Sequence, residues 1–594
     1  MSGSRASTAH NEPLDGDATW FGDSEIDERF PAWTRGNAAD VFPEPLSPLG
    51  QTLVMREGMA PGLRDGYIRI GALDFDEFEN PHRPELWKLF GGYPYNPLSL
   101  TRVLGARMPG ATPELIDEAF FDDRAEVPPY DAQDWHESAK HEAKLGESMA
   151  WAMSTDALPF LDDDKELARQ LRESRPDLSR SSDAALHARA RAMMPYLHQM
   201  FENAMVVSSL SALGTGALGA ICDELGDPTM AIRLLAGIEV DSGEPSRAMW
   251  ELGRFARSSA VVDAAFEADP RSVVELLEAD GGEDARAFLA RFEQFLREHG
   301  SRAQNEYDPR APSWELRPAV ALVAIDLMRR SDEAQAPAVR TAASVEECER
   351  VAAEIRSKIA DDAETTALFE SALRSARLFL AGRERGKTNA VRVINEARVA
   401  LYEYGRRLVE RGVVEDVEHL FMVTDAELDA LRAEPESFTD VIADRWTQYR
   451  RLFDYEPVFA VNGRAPSLDE MIRRGDKQVV SVSVGDVLGG AAGSGGVASG
   501  RARVVTDAGD PDGLEPGDVL IAPQTDPAWV PLMVPAAAVV VNVGAAGSHA
   551  MIVSRELGIP CVVSVEDASE IIPDGAMVTV DGNGGTVTID ALPD

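Results

Sequence analysis

Near its C-terminus the sequence reads Gly544-Ala-Ala-Gly-Ser-His-Ala-Met-Ile-Val-Ser-Arg-Glu-Leu-Gly-Ile-Pro560, a glycine-rich turn that delivers His549 to the start of a short amphipathic helix. The first N–H groups of a helix have no intrahelical acceptor and lie at the positive end of its dipole, so an anion held there is stabilised before any side chain contributes. The same field favours neutral imidazole, the nucleophilic form, near neutral pH. These residue types in this order suit an imidazole that carries a phosphoryl group. Ser548 reads as the N-cap, Ile552 and Val553 as core-facing positions, and Gly558 followed by Pro560 as the helix stop.

The rest of the chain sets limits on that chemistry. Its 594 residues, 44% of them hydrophobic, suffice for roughly three to five domains with sizeable cores. Acidic residues number 101 against 58 basic, a net charge of −43. Such a balance argues against a nucleic-acid groove and against attraction to anionic membranes. Cys222, Cys348 and Cys561 show no paired spacing, so neither a disulfide framework nor a metal ribbon is expected, and no metal site is expected in this chain. The first residues are small and polar without an apolar signal region, and no uninterrupted apolar run approaches the ~18 residues of a membrane span. A cytoplasmic protein is the expectation.

The elements that must position His549 divide the chain. Residues 1–16 read as a disordered tail. Residues 17–131 are rich in proline and aromatics, densest from Trp33 to Leu49, and predict an irregular mixed wrapping segment. Residues 132–474 are dominated by helical periodicity, as in Ala397, Ala400, Leu401, Tyr404 and Leu408 before Gly412. Val206 to Leu225 is packed with Ala, Gly and Ser, which predicts close helix contacts. Residues 475–496 end in the run Gly489-Gly-Ala-Ala-Gly-Ser-Gly-Gly496, a candidate hinge, and residues 497–594 turn to short Val-, Gly- and Asp-rich strands.

Several ordered blocks in that last region carry a resemblance. They are Gly493-Ser-Gly-Gly-Val-Ala-Ser-Gly-Arg-Ala-Arg-Val504, Glu515-Pro-Gly-Asp-Val-Leu-Ile-Ala-Pro-Gln-Thr-Asp-Pro-Ala-Trp-Val-Pro-Leu532, Ala536 to Val543 leading into the histidine turn, and Asp574 through Gly585. Together they resemble the swivelling phosphohistidine domain of the phosphoenolpyruvate-utilising enzymes, a group that includes pyruvate phosphate dikinase, rifampin phosphotransferase and phenylphosphate synthase. The resemblance implies a multidomain α + α/β chain: a large, mainly helical acceptor-binding domain followed by a C-terminal swivelling β/β/α phosphohistidine domain. It implies His549 as the catalytic, covalently phosphorylated residue, with Gly544, Gly547, Ser548, Ala550, Thr525 and Arg555 supporting the phosphate loop. Ala545 stands where the family has a second glycine and Met551 where it has a small residue.

The helical middle resembles the acceptor-binding domain of rifampin phosphotransferase through two stretches, His299 to Trp314 and Arg383 to Phe421. There the resemblance implies acceptor-binding or docking roles for His299, Arg302, Glu306, Arg383, Lys387 and Arg392. Arg302 and Glu306 also fit a buried structural pair at i, i+4, and the basic residues from Arg383 to Arg392 fit either solvated charge or a cationic pad that meets the phosphohistidine. Relatives carry Gly-His-Arg where Gly300-Ser301-Arg302 stands here. No Walker loop or ATP-grasp block is found, and no barrel for phosphoenolpyruvate follows the last domain. The expected function is therefore the phosphohistidine and acceptor-binding subunit of a two-component dikinase. ATP and Mg would be bound by a separate ATP-grasp subunit, and a phenol or small aromatic or apolar alcohol would accept the phosphoryl group. A rifampin-like antibiotic phosphotransferase subunit and a non-catalytic binding protein retaining the fold are the alternatives.

Overall fold

The computed structural model describes residues 20–121, 127–476, 481–511, 513–544 and 548–593. The expected tail, residues 1–16, lies outside them. The helical part is organised on one 48-residue helix, Ala363–Glu410. Asp362 caps its start by accepting the N–H groups of Glu364 and Thr365, and Gly412, at φ 71°, ends the chain's helical course. Phe369, Leu373, Ala376, Phe379, Ala397 and Leu401 recur along it at helical spacing and are buried. Helices Pro159–Glu173, Asp183–Ala192, Met194–Leu210 and Ala212–Glu224 pack around it. Small residues set the closeness of that packing: a Cβ on Gly214 would lie 2.4 Å from the Ala376 nitrogen, and one on Gly386 2.8 Å from the Ala204 Cβ.

The leading segment is more regular than its prolines predict. Gly50–Met59 winds as a wide helix with i→i+5 bonding and continues without a break as the α-helix Ala60–Ile70. Pro61 lies at the junction of the wide and α portions; it has no N–H to give to the preceding turn, and the helix passes through it without that bond. Gly58, Gly62 and Gly66 form a ridge four residues apart that seats the helix Met194–Leu210; a Cβ on Gly62 would meet the His198 carbonyl at 2.6 Å. This glycine spacing was a sequence signal for a packed helix, and the proline content masked it. The strand Ala32–Thr34 pairs antiparallel with Ala460–Asn462, tying the leading segment to the end of the helical part.

The C-terminal part is an eight-stranded mixed sheet in the order 487–489, 586–591, 577–581, 497–504, 519–522, 538–541, 561–563, 491–494. Its four central strands, from Val497–Val504 to Cys561–Val563, run parallel. One face carries Val519, Val540, Val578 and Ile589 over the short helix Ala568–Ile571. The other carries Leu520, Val539 and Val541 and shares a core with Leu532, Met533 and Ala550, and with Trp250, Phe292 and Leu322 of the helical part. The sheet domain is thus seated on the helices through an apolar interface.

The stretch 475–496 is not a free linker throughout. Val487–Gly489 and Ala491–Ser494 are strands of the sheet, one at each edge. Its glycines serve close approach as well as freedom: a Cβ on Gly490 would lie 2.5 Å from the Val563 carbonyl. Residues 477–480 lie outside the described residues.

Candidate active site

Strands Val519–Ala522 and Ala538–Val541 are parallel neighbours, so the segments that follow them leave the sheet side by side at its carboxyl edge, where open α/β sheets hold ligands. The first brings Thr525 and the second His549, the first residue of the helix His549–Leu557. Thr525 Oγ1 lies 3.1 Å from His549 Nδ1. The imidazole is 4% exposed, and its Nε2 is buried without a partner among the described residues. Ser548 holds the extended N-cap backbone (φ −65°, ψ 156°), but its hydroxyl makes no cap; Oγ is likewise buried without a partner. Two unpartnered polar atoms therefore line one cleft.

Other residues expected around this loop are distributed as follows. Gly544 approaches Val563 so closely that a Cβ would meet that side chain at 2.8 Å, and its carbonyl accepts from the Ser564 hydroxyl at 2.5 Å. Ala550 is buried in the core shared with the helical part. Gly547 lies outside the described residues, as does Ala545. Arg555 is at the far end of the helix and donates from Nε to the Gly493 carbonyl at 2.8 Å. That bond pins the helix to the edge strand and directs the guanidinium away from the phosphate loop.

The cleft lies between the two domains. From the helical part it is lined by Asn305, Glu306, Tyr307, Arg383 and Lys387, and from the sheet domain by Thr525, Asp526, Ser548 and His549. Helical spacing sorts the expected cationic pad. Arg383 and Lys387, four apart, share the cleft face. Arg383 makes no ion pair or hydrogen bond among the described residues, and Lys387 Nζ is 3.5 Å from Glu384. Arg385 is turned to Asp241 and Asp162. Arg392 is nine positions beyond Arg383, half a revolution round the helix, and does not line the cleft.

Arg302 and Glu306 form a buried ion pair at 3.3 Å, and Arg302 Nη2 also donates to Thr388 Oγ1 at 2.6 Å. Glu306 borders the cleft while Arg302 stands behind it. His299 lies outside the cleft, beside Phe295, with Nε2 3.8 Å from Glu298. Burial, with Arg392 and Arg302, holds its imidazole down to about 3. It is a neutral side chain in a cationic setting.

Three shifted groups define the electrostatics. Burial lowers the His549 pKa to about 3; Glu384 opposes that shift while Lys387 and Arg302 add to it. The His549 imidazole is thus neutral at physiological pH. Burial pushes the Glu384 carboxyl up, but Lys387, Arg383 and Arg302 outweigh it and hold the group at about 2. Burial, together with Glu306, raises Asp526 to about 7, against the N–H groups of Asn305 and Ala528 that its two oxygens accept at 3.0 and 2.8 Å. Asp526 and Glu384 were not singled out in the sequence. The signal for Asp526 was its place after Thr525 and before Pro527; Glu384 offered only its position between two cleft-facing cations.

Among the described residues, two groups of three could hold a metal ion: Asp65, His198 and Glu202, and Asp74, Glu77 and His141. Neither lines the cleft, and each has a carboxylate already bonded to arginine, Asp65 to Arg64 and Glu77 to Arg107.

Residues 514–585 match the mobile domain of PEP-utilising enzymes, and residues 200–384 match the fourth domain of rifampicin phosphotransferase. Two separate regions of the chain thus resemble parts of the PEP-utilising enzymes, rifampicin phosphotransferase among them. It is 29% identical over 318 residues to the rifampicin phosphotransferase of Streptomyces sviceus, covering 53% of this chain and 36% of that protein. It is 28% identical over 324 residues to the rifampicin phosphotransferase of Bacillus subtilis, covering 54% and 36%. A third relative is an uncharacterized phosphotransferase of Bacillus subtilis, YvkC, at 28% over 368 residues, 60% of this chain and 43% of that protein. The chain spans less than half the length of these relatives.

Proposed function

We propose that this chain is the phosphohistidine-carrying and acceptor-binding component of an ATP-dependent, dikinase-type phosphotransferase. The observation that supports this most is the His549 side chain: Nδ1 is held by Thr525, Nε2 is buried without a partner among the described residues, and the residue lines a cleft that Arg383 and Lys387 also border. In the proposed state Thr525 Oγ1 is the acceptor of Nδ1–H; in that tautomer the lone pair is on Nε2, which makes Nε2 the atom that takes the phosphoryl group. ATP, with Mg, would be bound on a separate ATP-grasp subunit and converted to AMP and phosphate, in a cytoplasmic complex of the two chains.

In the second half-reaction the acceptor oxygen attacks phosphorus in line, the P–N bond breaks and its electron pair returns to Nε2. Arg383 and Lys387 stabilise the charge on the equatorial oxygens. The hydroxyl proton passes to Asp526, whose pKa near 7 leaves it partly ionised at neutral pH. The proposed acceptor is a phenol or a small aromatic or apolar alcohol. A second reading, modification of a rifampin-like antibiotic, is supported by the match to the rifampicin phosphotransferase fourth domain. The two separate in one assay: the phosphorylated chain is offered a panel of phenols, small alcohols and rifampicin. Dephosphorylation only by rifampicin rejects the small-acceptor reading, and dephosphorylation by a phenol but not by rifampicin supports it.

A further inference from the structure

The helix that begins with His549 ends against the helical part in a way that phosphate chemistry does not require. Glu556, 2% exposed, projects from its last turn into a seat made by Gly243 and Arg247. A Cβ on Gly243 would lie 2.4 Å from Glu556 Oε1, so the carboxyl occupies the space that a side chain would fill. Arg247 Nη1 is 3.4 Å from Oε1, and Oε2 is buried without a partner. Beside this contact the Gly237 N–H donates to the Arg555 carbonyl at 3.3 Å, and a Cβ on Gly558 would lie 2.8 Å from Ser344 Oγ. The helical part therefore holds the sheet domain at two places, at Asn305 through Asp526 and at Gly243 through Glu556.

We propose that Glu556 is the docking residue of the carrier domain: it enters the Gly243–Arg247 seat as a neutral carboxylic acid, so that seating the phosphohistidine domain on the acceptor domain takes up a proton. This rests on the carrier reading above, in which the sheet domain leaves that seat to collect its phosphoryl group.

The charges that face Glu556 are Arg247 of the helix Glu244–Ser258, Glu239 of the preceding loop and Glu384 of the central helix; the helix Pro337–Lys358 presents Ser344 at the adjacent turn. Burial raises Glu556 to about 8; Arg247 opposes the shift, and Glu239 and Glu384 add to it. When the domain leaves, water restores an ordinary carboxylate that ionises near its usual value. The docked form binds the extra proton, so docking is strongest at low pH and weakens as pH rises through the docked pKa. Asp526, at about 7 when docked, acts with the same sign over a lower range. His549, held neutral when docked, acts with the opposite sign but by only about 1.3-fold between pH 7 and 8.5.

The test uses the full chain with spin labels at Glu278→Cys on the helical part and Asp590→Cys on the sheet domain, both exposed positions. Distance distributions recorded at pH 7 and pH 8.5 give the ratio of docked to undocked molecules. For wild type, Glu556 contributes a fall of about eight-fold in that ratio and Asp526 about two-fold. Glu556→Gln is expected to keep only the two-fold change. Gly243→Ala, whose backbone conformation alanine adopts freely, is expected to lower the docked share and, by keeping the carboxyl out of its seat, to flatten the pH slope as Glu556→Gln does. A wild-type ratio that does not change with pH, or a Glu556→Gln slope equal to wild type, overturns the proposal. Failure of the carrier reading is seen separately, as absence of label on His549 when the chain meets a phosphoryl donor.

Discussion

Thr525 Oγ1 stands 3.1 Å from His549 Nδ1 because two neighbouring parallel strands release their following segments at the same edge of one sheet. The pairing assigns the two ring nitrogens different tasks, one held and one free. Thr525→Val keeps the shape and removes the hydroxyl. The loss of about one hydrogen bond predicts a fall of roughly ten-fold in the rate of His549 phosphorylation, read by single-turnover labelling. Unchanged labelling would show that Thr525 does not orient the ring.

Arg383 and Lys387 meet the cleft on one face of the central helix, and Arg385 does not. Replacing Arg383 or Lys387 by Met is expected to slow transfer from phosphohistidine to acceptor by on the order of a hundred-fold or more, as for other preorganised charge stabilisers. Arg385→Met serves as the control and should alter stability more than transfer. Equal effects of the three substitutions would contradict the division of the helix into faces.

Asp526 supplies a pH dependence with a definite sign. A base must be ionised to take the acceptor proton, so transfer rises with pH up to about 7 and falls as Asp526 protonates below it. Throughout that range Glu556 stays protonated in the docked form and docking is not limiting. Asp526→Asn should lower transfer by about a hundred-fold and flatten the acid limb. A limb that persists in the variant would move the proton to another group.

The ridge Gly58, Gly62, Gly66 predicts a stability effect far from the chemistry. In Gly62→Ala the new Cβ would lie 2.6 Å from the His198 carbonyl, a backbone atom that cannot turn aside. Overpacking of this kind costs about 1–3 kcal/mol, less the helix propensity that alanine gains. A lowered melting temperature in thermal unfolding checks it; unchanged or raised stability would mean that the two helices separate without cost.

What the sequence disclosed follows from the range of the forces involved. The histidine turn, its helix and the parallel strands around them are local patterns, and the glycine, apolar and capping positions mark them directly. The hinge was misplaced in part because glycine marks close approach as readily as freedom: Gly490 and Gly493 lie against Val563 and Cys561 inside the sheet. The wide helix from Gly50 was hidden by prolines, among them Pro61, which the continuous helix passes through. The roles of the charged residues were legible only as alternatives. Whether Arg392 meets the cleft or Arg302 pairs with Glu306 depends on which helix face is buried against which neighbour, and no single stretch records that. Asp526 and Glu556 were harder still, since their shifted ionisation arises from contacts with segments more than two hundred residues away.

The central claim is that His549 carries the phosphoryl group. The direct measurement is to incubate the full chain with γ- or β-labelled ATP and an ATP-grasp partner protein, then map acid-labile, alkali-stable label by mass spectrometry. The account predicts β-phosphoryl label on His549, absent in His549→Ala and discharged by the acceptor. Label that persists in His549→Ala, or no label on wild type with a partner that is itself active, would contradict it.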